Sequence, residues 1–311
     1  MDPKNRFNSQ DPTNGMDNVV VVACTATNGI ADGVAEILNV PLVKVESRTL
    51  PDGESYIRVP VDVSDKTAVI VQSLYPPQDK HIIELILTMD AVKGYRPGSI
   101  VLVMPYLAYS RQNKRFLPGE PISIEVILRM LRSEEADAIV TVDPHRQESI
   151  KSFNGNYAIV DPISLFAELF GKRSKDMVVL APDKGALSKA MDIASVLKVQ
   201  FTQLEKERDR KTGEVRLVGE QNFRFEGRDV LIIDDIVSTG NTVIQAAKFA
   251  KLNGAGDIAV AASHLLISEE TYKRMVESGI SRVVGTNTVP CKYSETIDVS
   301  PLIAEALKKI L

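Results

Sequence analysis

Short apolar, β-branched runs alternate with amphipathic stretches along this chain. The runs at 19–23, 68–71, 100–104 and 138–142 are continuous, the pattern of strands buried on both faces. Between them, 32–38, 81–93 and 122–133 carry apolar residues at helical spacing. The rhythm then repeats. Strands are predicted at 177–181, 199–204, 230–233, 258–262 and 282–284, and helices at 163–170, 186–197, 241–252 and 269–278. Such alternation implies parallel sheets with helices on both faces. Two such halves predict an α/β protein of two doubly wound parallel-sheet domains, 18–160 and 161–311. The last helix, 301–311, could pack back on either half, the first included. Residues 1–17 have almost nothing to bury and are expected to be a disordered tail or a cloning remnant, with Met16 a candidate native start.

Composition narrows the function classes. A length of 311 residues suits two domains. The net charge of −4 excludes a bulk electrostatic pull toward nucleic acid or an anionic membrane, so an anionic small substrate would need a local basic patch. Cys24 and Cys291 stand far apart with no C-x-x-C spacing, which argues against disulfides or structural zinc and fits a reducing cytoplasm. No apolar run approaches the roughly 20 residues of a membrane span.

In open α/β sheets ligands sit at the carboxyl ends of strands. Residues 230–242 read V-L-I-I-D-D-I-V-S-T-G-N-T, an apolar strand, two acids, then small hydroxyl residues and a glycine ahead of a helix. Backbone N–H groups and hydroxyls at such a turn converge on an anion, and the helix dipole favours it. The acids would repel a phosphate but accept hydrogen bonds from sugar hydroxyls or sit near a metal. Taken alone, S-T-G is first of all a helix N-cap; a phosphate cradle next to a pair of acids would suit a ribose with a 5-phosphate.

Four more clusters follow predicted strands or extended segments. Leu50-Pro51-Asp52-Gly53-Glu54 reads as a turn with proline in second place. Residues 106–122 gather Arg111, Lys114 and Arg115 among aromatic residues, groups suited to phosphate and to an adenine face, or to a solvated basic loop. Asp143-Pro144-His145 and Asp183-Lys184-Gly185-Ala186 each end a strand. The first offers a metal or substrate contact, the second an anion cradle or a capped helix. By contrast, Gly254-Ala255-Gly256 begins a G-x-G-x-x-A pattern in the wrong place, after a helix and before a strand, and there is no Walker-type P-loop.

The 230–242 segment closely resembles the phosphoribosyl-diphosphate (PRPP) motif of type I phosphoribosyltransferases and PRPP synthetases, which usually have a second glycine where this chain has Asn241. C-T-A-T-N, P-D-G-E, Y-x-x-Y-x-R-Q, D-P-H, P-D-K-G-A, E-K-E-R and S-H-L-L add to it, in order and spacing, a resemblance to the PRPP synthetases (ribose-phosphate diphosphokinases) from about Asn18 onward. That resemblance implies a type I phosphoribosyltransferase-like fold. It implies transfer of the terminal diphosphate of Mg-ATP to the 1-hydroxyl of ribose 5-phosphate, leaving AMP, with Mg2+ as cofactor. By position, Asp52, Gly53 and Glu54 would reach ATP from a neighbouring subunit, and Arg111 and Gln112 would add further ATP contacts. His145 and Asp183 would be metal positions, with Asp143 a weaker one. Lys206 and Arg208 would lie on a catalytic loop, Arg208 also touching ribose 5-phosphate. Asp234 and Asp235 would hold the ribose hydroxyls, and Ser238, Thr239, Gly240, Asn241 and Thr242 the 5-phosphate. The shared ATP pocket implies a homo-oligomer, at least a dimer. A phosphoribosyltransferase that consumes PRPP, or a non-catalytic nucleotide-binding relative, stays open at this point.

Overall fold

Strands rich in valine and isoleucine have little to offer water on either face, so they pair in the middle of sheets and are covered by helices. The computed structural model describes residues 16–171, 176–208, 215–219 and 224–311, with 205–208 and 215–219 described through their backbone. In chain order the first half runs β1 (Val19–Ala23), α1 (Ile30–Leu38), β2 (Leu42–Lys44), β3 (Glu46–Thr49), β4 (Ser55–Arg58) and β5 (Thr67–Val71). It continues with α2 (Gln78–Lys93), β6 (Ser99–Met104), α3 (Ser123–Ser133), β7 (Ala138–Val142) and β8 (Asn156–Val160). Six of these strands form a wholly parallel sheet in the order β2-β1-β5-β6-β7-β8, while β3 and β4 make a separate antiparallel hairpin.

The second half runs α4 (Ile163–Gly171), β9 (Met177–Ala181), α5 (Leu187–Leu197), β10 (Gln200–Arg208), β11 (Val215–Gly219) and β12 (Asp229–Val237). It ends with α6 (Asn241–Leu252), β13 (Ile258–Leu265), α7 (Glu269–Glu277), β14 (Ile280–Thr286), β15 (Glu295–Ile297) and α8 (Ser300–Ile310). The sheet order is β11-β10-β9-β12-β13-β14-β15, parallel except for the β10–β11 pair. Among the described residues no helix is long and apolar enough to cross a membrane.

The pattern of apolar residues missed the edge strands and the hairpin. β3, E-S-R-T, is exposed throughout, and β15 is three residues of E-T-I. Such strands are held by a neighbour's backbone and need no buried face. The pattern also ended two central strands early. β12 continues through Asp234 and Asp235 to Val237, and β13 through His264 to Leu265, because the two ladders pair each other to the end.

The last helix belongs to the first half. Val299, Ile303, Ala304 and Leu307 pack with Ile30, Ala31 and Val34 beneath the first sheet. The helices approach closely at Gly33, where a β-carbon would stand 2.7 Å from the Ser300 hydroxyl. Leu307 is fully buried. We predict that Leu307→Ala lowers stability by about 2–5 kcal/mol through lost burial and a residual cavity. Chemical denaturation checks this, and a loss well under about 1 kcal/mol would contradict the docking of α8.

Candidate active site

The carboxyl ends of β6 and β7 meet those of β9 and β12 around one cleft of about 430 Å³. Arg111 and the segment from Asp143 to Glu148 line it from the first half. Asp183, Lys189, Asp234, Asp235 and the loop from Ser238 to Thr242 line it from the second. This is the place the switch-point rule for parallel sheets points to, here doubled because two sheets present such ends together.

The two walls are tied by charge. Asp143 follows β7 with a left-handed backbone (φ 42°) and is almost fully buried. The Lys189 ammonium on α5 pairs with its Oδ1, and the Ser263 hydroxyl on β13 donates to its Oδ2. His264, also buried, has Nε2 3.0 Å from the Val142 carbonyl and 3.3 Å from that of Asp143. Two carbonyls there require Nε2–H as the donor. Burial lowers the His264 pKa despite nearby acids, which suits a neutral ring. The segment after β14 adds two more ties. Asn28 donates to the Asn287 carbonyl at 2.8 Å, and the Ser73 hydroxyl to the Thr288 carbonyl at 2.6 Å.

The two adjacent acids are driven apart in acidity. His145 Nδ1 lies 2.7 Å from Asp235 Oδ2, joining the end of β7 to β12. Burial alone would raise the pKa of Asp235. Hydrogen bonds with His145 and Asp234, and the charges of His145 and Lys189, instead hold it well below the usual carboxylate range. Asp234 is held well above that range, first by burial and then by the charge of Asp235. The surroundings thus favour the anion at Asp235 and the protonated form at Asp234, a division common at catalytic sites.

The phosphate-type loop is built on Gly240, the N-cap of α6, with φ 72°. A β-carbon there would stand 2.8 Å from Thr271 Cγ2. Only glycine accepts both that backbone and that approach. Among the described residues the N–H groups of Ser238, Thr239 and Gly240 donate to no protein group. The first N–H groups of α6 lack intrahelical partners by construction. Asn241 is the first residue of α6, outside the left-handed region, so asparagine in place of the usual second glycine leaves the loop backbone unstrained.

Residues 19–134 match the N-terminal domain of ribose phosphate pyrophosphokinase, and 182–311 the phosphoribosyl synthetase-associated domain. The chain is 42% identical to a ribose-phosphate pyrophosphokinase of Sulfurisphaera tokodaii and 43% to one of Saccharolobus solfataricus. Each match covers 93% of this chain and all of the relative. The chain belongs to the ribose-phosphate pyrophosphokinase family. Its fold matches the crystal structure of phosphoribosylpyrophosphate synthetase from Mycobacterium smegmatis with a TM-score of 0.85 at 28% identity, over 94% of this chain and 99% of the other. The architecture is thus that of a PRPP synthetase, an enzyme fold of two parallel-sheet halves.

Within this pyrophosphokinase fold the structure gathers Arg111, His145, Asp183, Asp234, Asp235, Ser238, Thr239, Gly240, Asn241 and Thr242 in one cleft. It does not bring Asp52, Gly53 and Glu54 there; they form the tip of the exposed β3–β4 hairpin, closed by Leu50 N–H donating to the Glu54 carbonyl at 2.8 Å. Gln112 does not line the cleft either, and accepts from the Ser123 hydroxyl at the start of α3, at 2.5 Å. Lys206 and Arg208 lie on β10 opposite Leu217 and Val215 of β11, the hairpin arrangement, with their side chains outside the described features. Asp183 accepts from the Gly185 N–H at 2.8 Å. Sequence reasoning missed Lys189 and Arg146. The signal for Arg146 was its place beside His145. Lys189 had only its place on the helix after P-D-K-G-A.

The acid pair makes a testable statement. A buried Asp with a raised pKa lowers stability as pH climbs from the unfolded value, about 3.9, through the folded one. Asp234→Asn keeps the shape and a donor toward Asp235 but removes that proton release. The variant should melt a few degrees above the parent at pH 8, with the difference shrinking toward pH 4. A parent and variant with parallel melting curves across this range would refute the assignment of the proton to Asp234.

Proposed function

We propose that this chain transfers the terminal diphosphate of ATP to the 1-hydroxyl of ribose 5-phosphate, giving PRPP and AMP, with magnesium required. The observation that carries the reading is the single cleft to which one half contributes Arg111 and His145 and the other Asp183, the acid pair and the Ser238–Thr242 loop. Relatives named for this reaction, aligned along 93% of the chain, support it.

In this reading the 5-phosphate sits on the free N–H groups of the loop and the α6 N-terminus. Asp234 and Asp235 take the ribose hydroxyls, which presents the 1-hydroxyl to the β-phosphorus of ATP. The new O–P bond forms there as the 1-hydroxyl loses its proton to solvent, the bond from that phosphorus to the α,β-bridging oxygen breaks, and AMP leaves. Arg111, with Lys206 and Arg208 carried on the β10–β11 hairpin, supplies positive charge where phosphate oxygens gain it. The hairpin position allows those two residues to close over bound substrate and exclude water.

Two residues fit a magnesium ion. Asp183 offers a hard carboxylate oxygen at the cleft. His145 has Nδ1 engaged by Asp235, which orients the ring and would leave Nε2 to the ion when the ring is neutral. Among the described residues no cluster of three or more His, Cys, Asp or Glu is placed to hold a metal. Magnesium does not need such a cage, because it keeps waters and takes substrate phosphate oxygens. Bound there, the ion would neutralise phosphate charge. The exposed Asp52–Glu54 hairpin tip, outside its own cleft, supports a homo-oligomer in which it completes a neighbour's ATP site. ATP use and two free cysteines fit action in the cytoplasm.

Protein mixed with Mg-ATP and ribose 5-phosphate should yield AMP and PRPP in equal amounts. No AMP across a range of divalent metals and phosphate concentrations would sink the reading. Lys206→Ala should cut turnover by about 100-fold or more, the scale of losing one transition-state donor, with melting temperature unchanged. Near-normal turnover in that variant would remove Lys206 from the mechanism.

A further inference from the structure

We infer that the Asn241 side chain is a phosphate donor that Arg274 aims into the cleft, so that Asn241 supplies a contact the usual glycine cannot. This rests on the reading of the Ser238–Thr242 loop as the seat of ribose 5-phosphate. Asn241 lines the cleft as the first residue of α6. Its Oδ1 accepts from Arg274 Nη2 at 2.6 Å. A guanidinium has donors and no acceptor, so the amide oxygen must face Arg274. The Nδ2 group then points away from Arg274 with both N–H bonds. Among the described residues it meets no protein acceptor, and its residue shares the cleft lining with Ser238, Thr239 and Gly240, whose N–H groups are unpartnered.

Arg274 is well placed to hold this orientation. It rides on α7, whose Thr271 and Met275 pack directly under Gly240. The same helix therefore fixes the loop backbone and the Asn241 side chain. The N-terminus of α7 is itself secured, with Ser268 accepting from the Thr271 N–H at 3.1 Å. Arg274 is thus a positioning residue, acting on the phosphomonoester through Asn241, and the guanidinium behind the amide also polarises its N–H bonds toward an anion.

Calorimetric affinity for ribose 5-phosphate, with KM for each substrate, tests this in the full-length protein. Asn241→Ala should weaken ribose 5-phosphate binding and raise its KM about tenfold, the scale of one hydrogen bond to a charged group, with KM for ATP unchanged. Asn241→Asp should be worse, because it sets a carboxylate against the phosphate. Arg274→Met should show part of the Asn241→Ala effect, and the double variant should be no worse than Asn241→Ala alone. Unchanged affinity in Asn241→Ala, while wild-type protein makes PRPP, would overturn the donor role and spare the assigned reaction. Additive losses in the double variant would overturn the relay, placing Arg274 on the phosphate itself. Wild-type protein that binds ribose 5-phosphate without forming PRPP would refute the reaction while the affinity series still judges the donor; wild-type protein that binds none would overturn both. Melting temperatures of each variant separate a lost contact from a lost fold.

Discussion

The meeting of the two halves turns on one buried carboxylate. Asp143 sits at the end of β7 with almost no access to water. An unpaired charge in that position would cost several kcal/mol. Both side chains that compensate it, Lys189 and Ser263, come from the second half. Asp143 is therefore satisfied only when the halves are closed on each other. The closure sets His145 against Asp235, and that contact in turn separates the acidities of Asp235 and Asp234. The alignment of the acid pair with the cleft follows from an electrostatic requirement one residue pair away.

Much of this was legible in the chain, and the limits have physical causes. The central strands could be read because burial on both faces leaves a continuous apolar run, as in V-V-V-V-A of β1. The phosphate loop could be read because its glycine is demanded by backbone and packing at once. The ends of β12 and β13 could not, since a strand end that faces a cleft is polar while still in the sheet. Asp234 and His264 therefore look like loop residues in sequence and are ladder residues in space, and Asp235 lies between paired positions of β12. The hairpin β3–β4 escaped notice for the opposite reason, having no buried face to pattern. Lys189 and Arg274 were invisible as site residues because each acts through a partner distant in sequence, Asp143 or Asn241.

The site also carries costs the rest of the fold must offset. Asp234, half-buried with a raised pKa, opposes folding at neutral pH. Gly240 holds a left-handed backbone against the side of α7. Features of this kind concentrate where function needs fixed charge and open donors, and the surrounding sheets supply the stability that tolerates them. Asn241 shows the same economy from the other side. Its position makes no demand for glycine, so the chain could place a polar side chain there without strain.

The docking of α8 has a consequence for how the molecule comes into being. Chains grow from the amino end, and early segments commonly fold before later ones exist. Here the first sheet lacks part of its apolar cover until Val299, Ile303, Ala304 and Leu307 arrive, after the whole second sheet has been made. Until then the face of β1 and α1 that they cover stands open to solvent. The nascent chain must carry that exposed surface while the second sheet is made, and α8 acts as the latch that ends the wait.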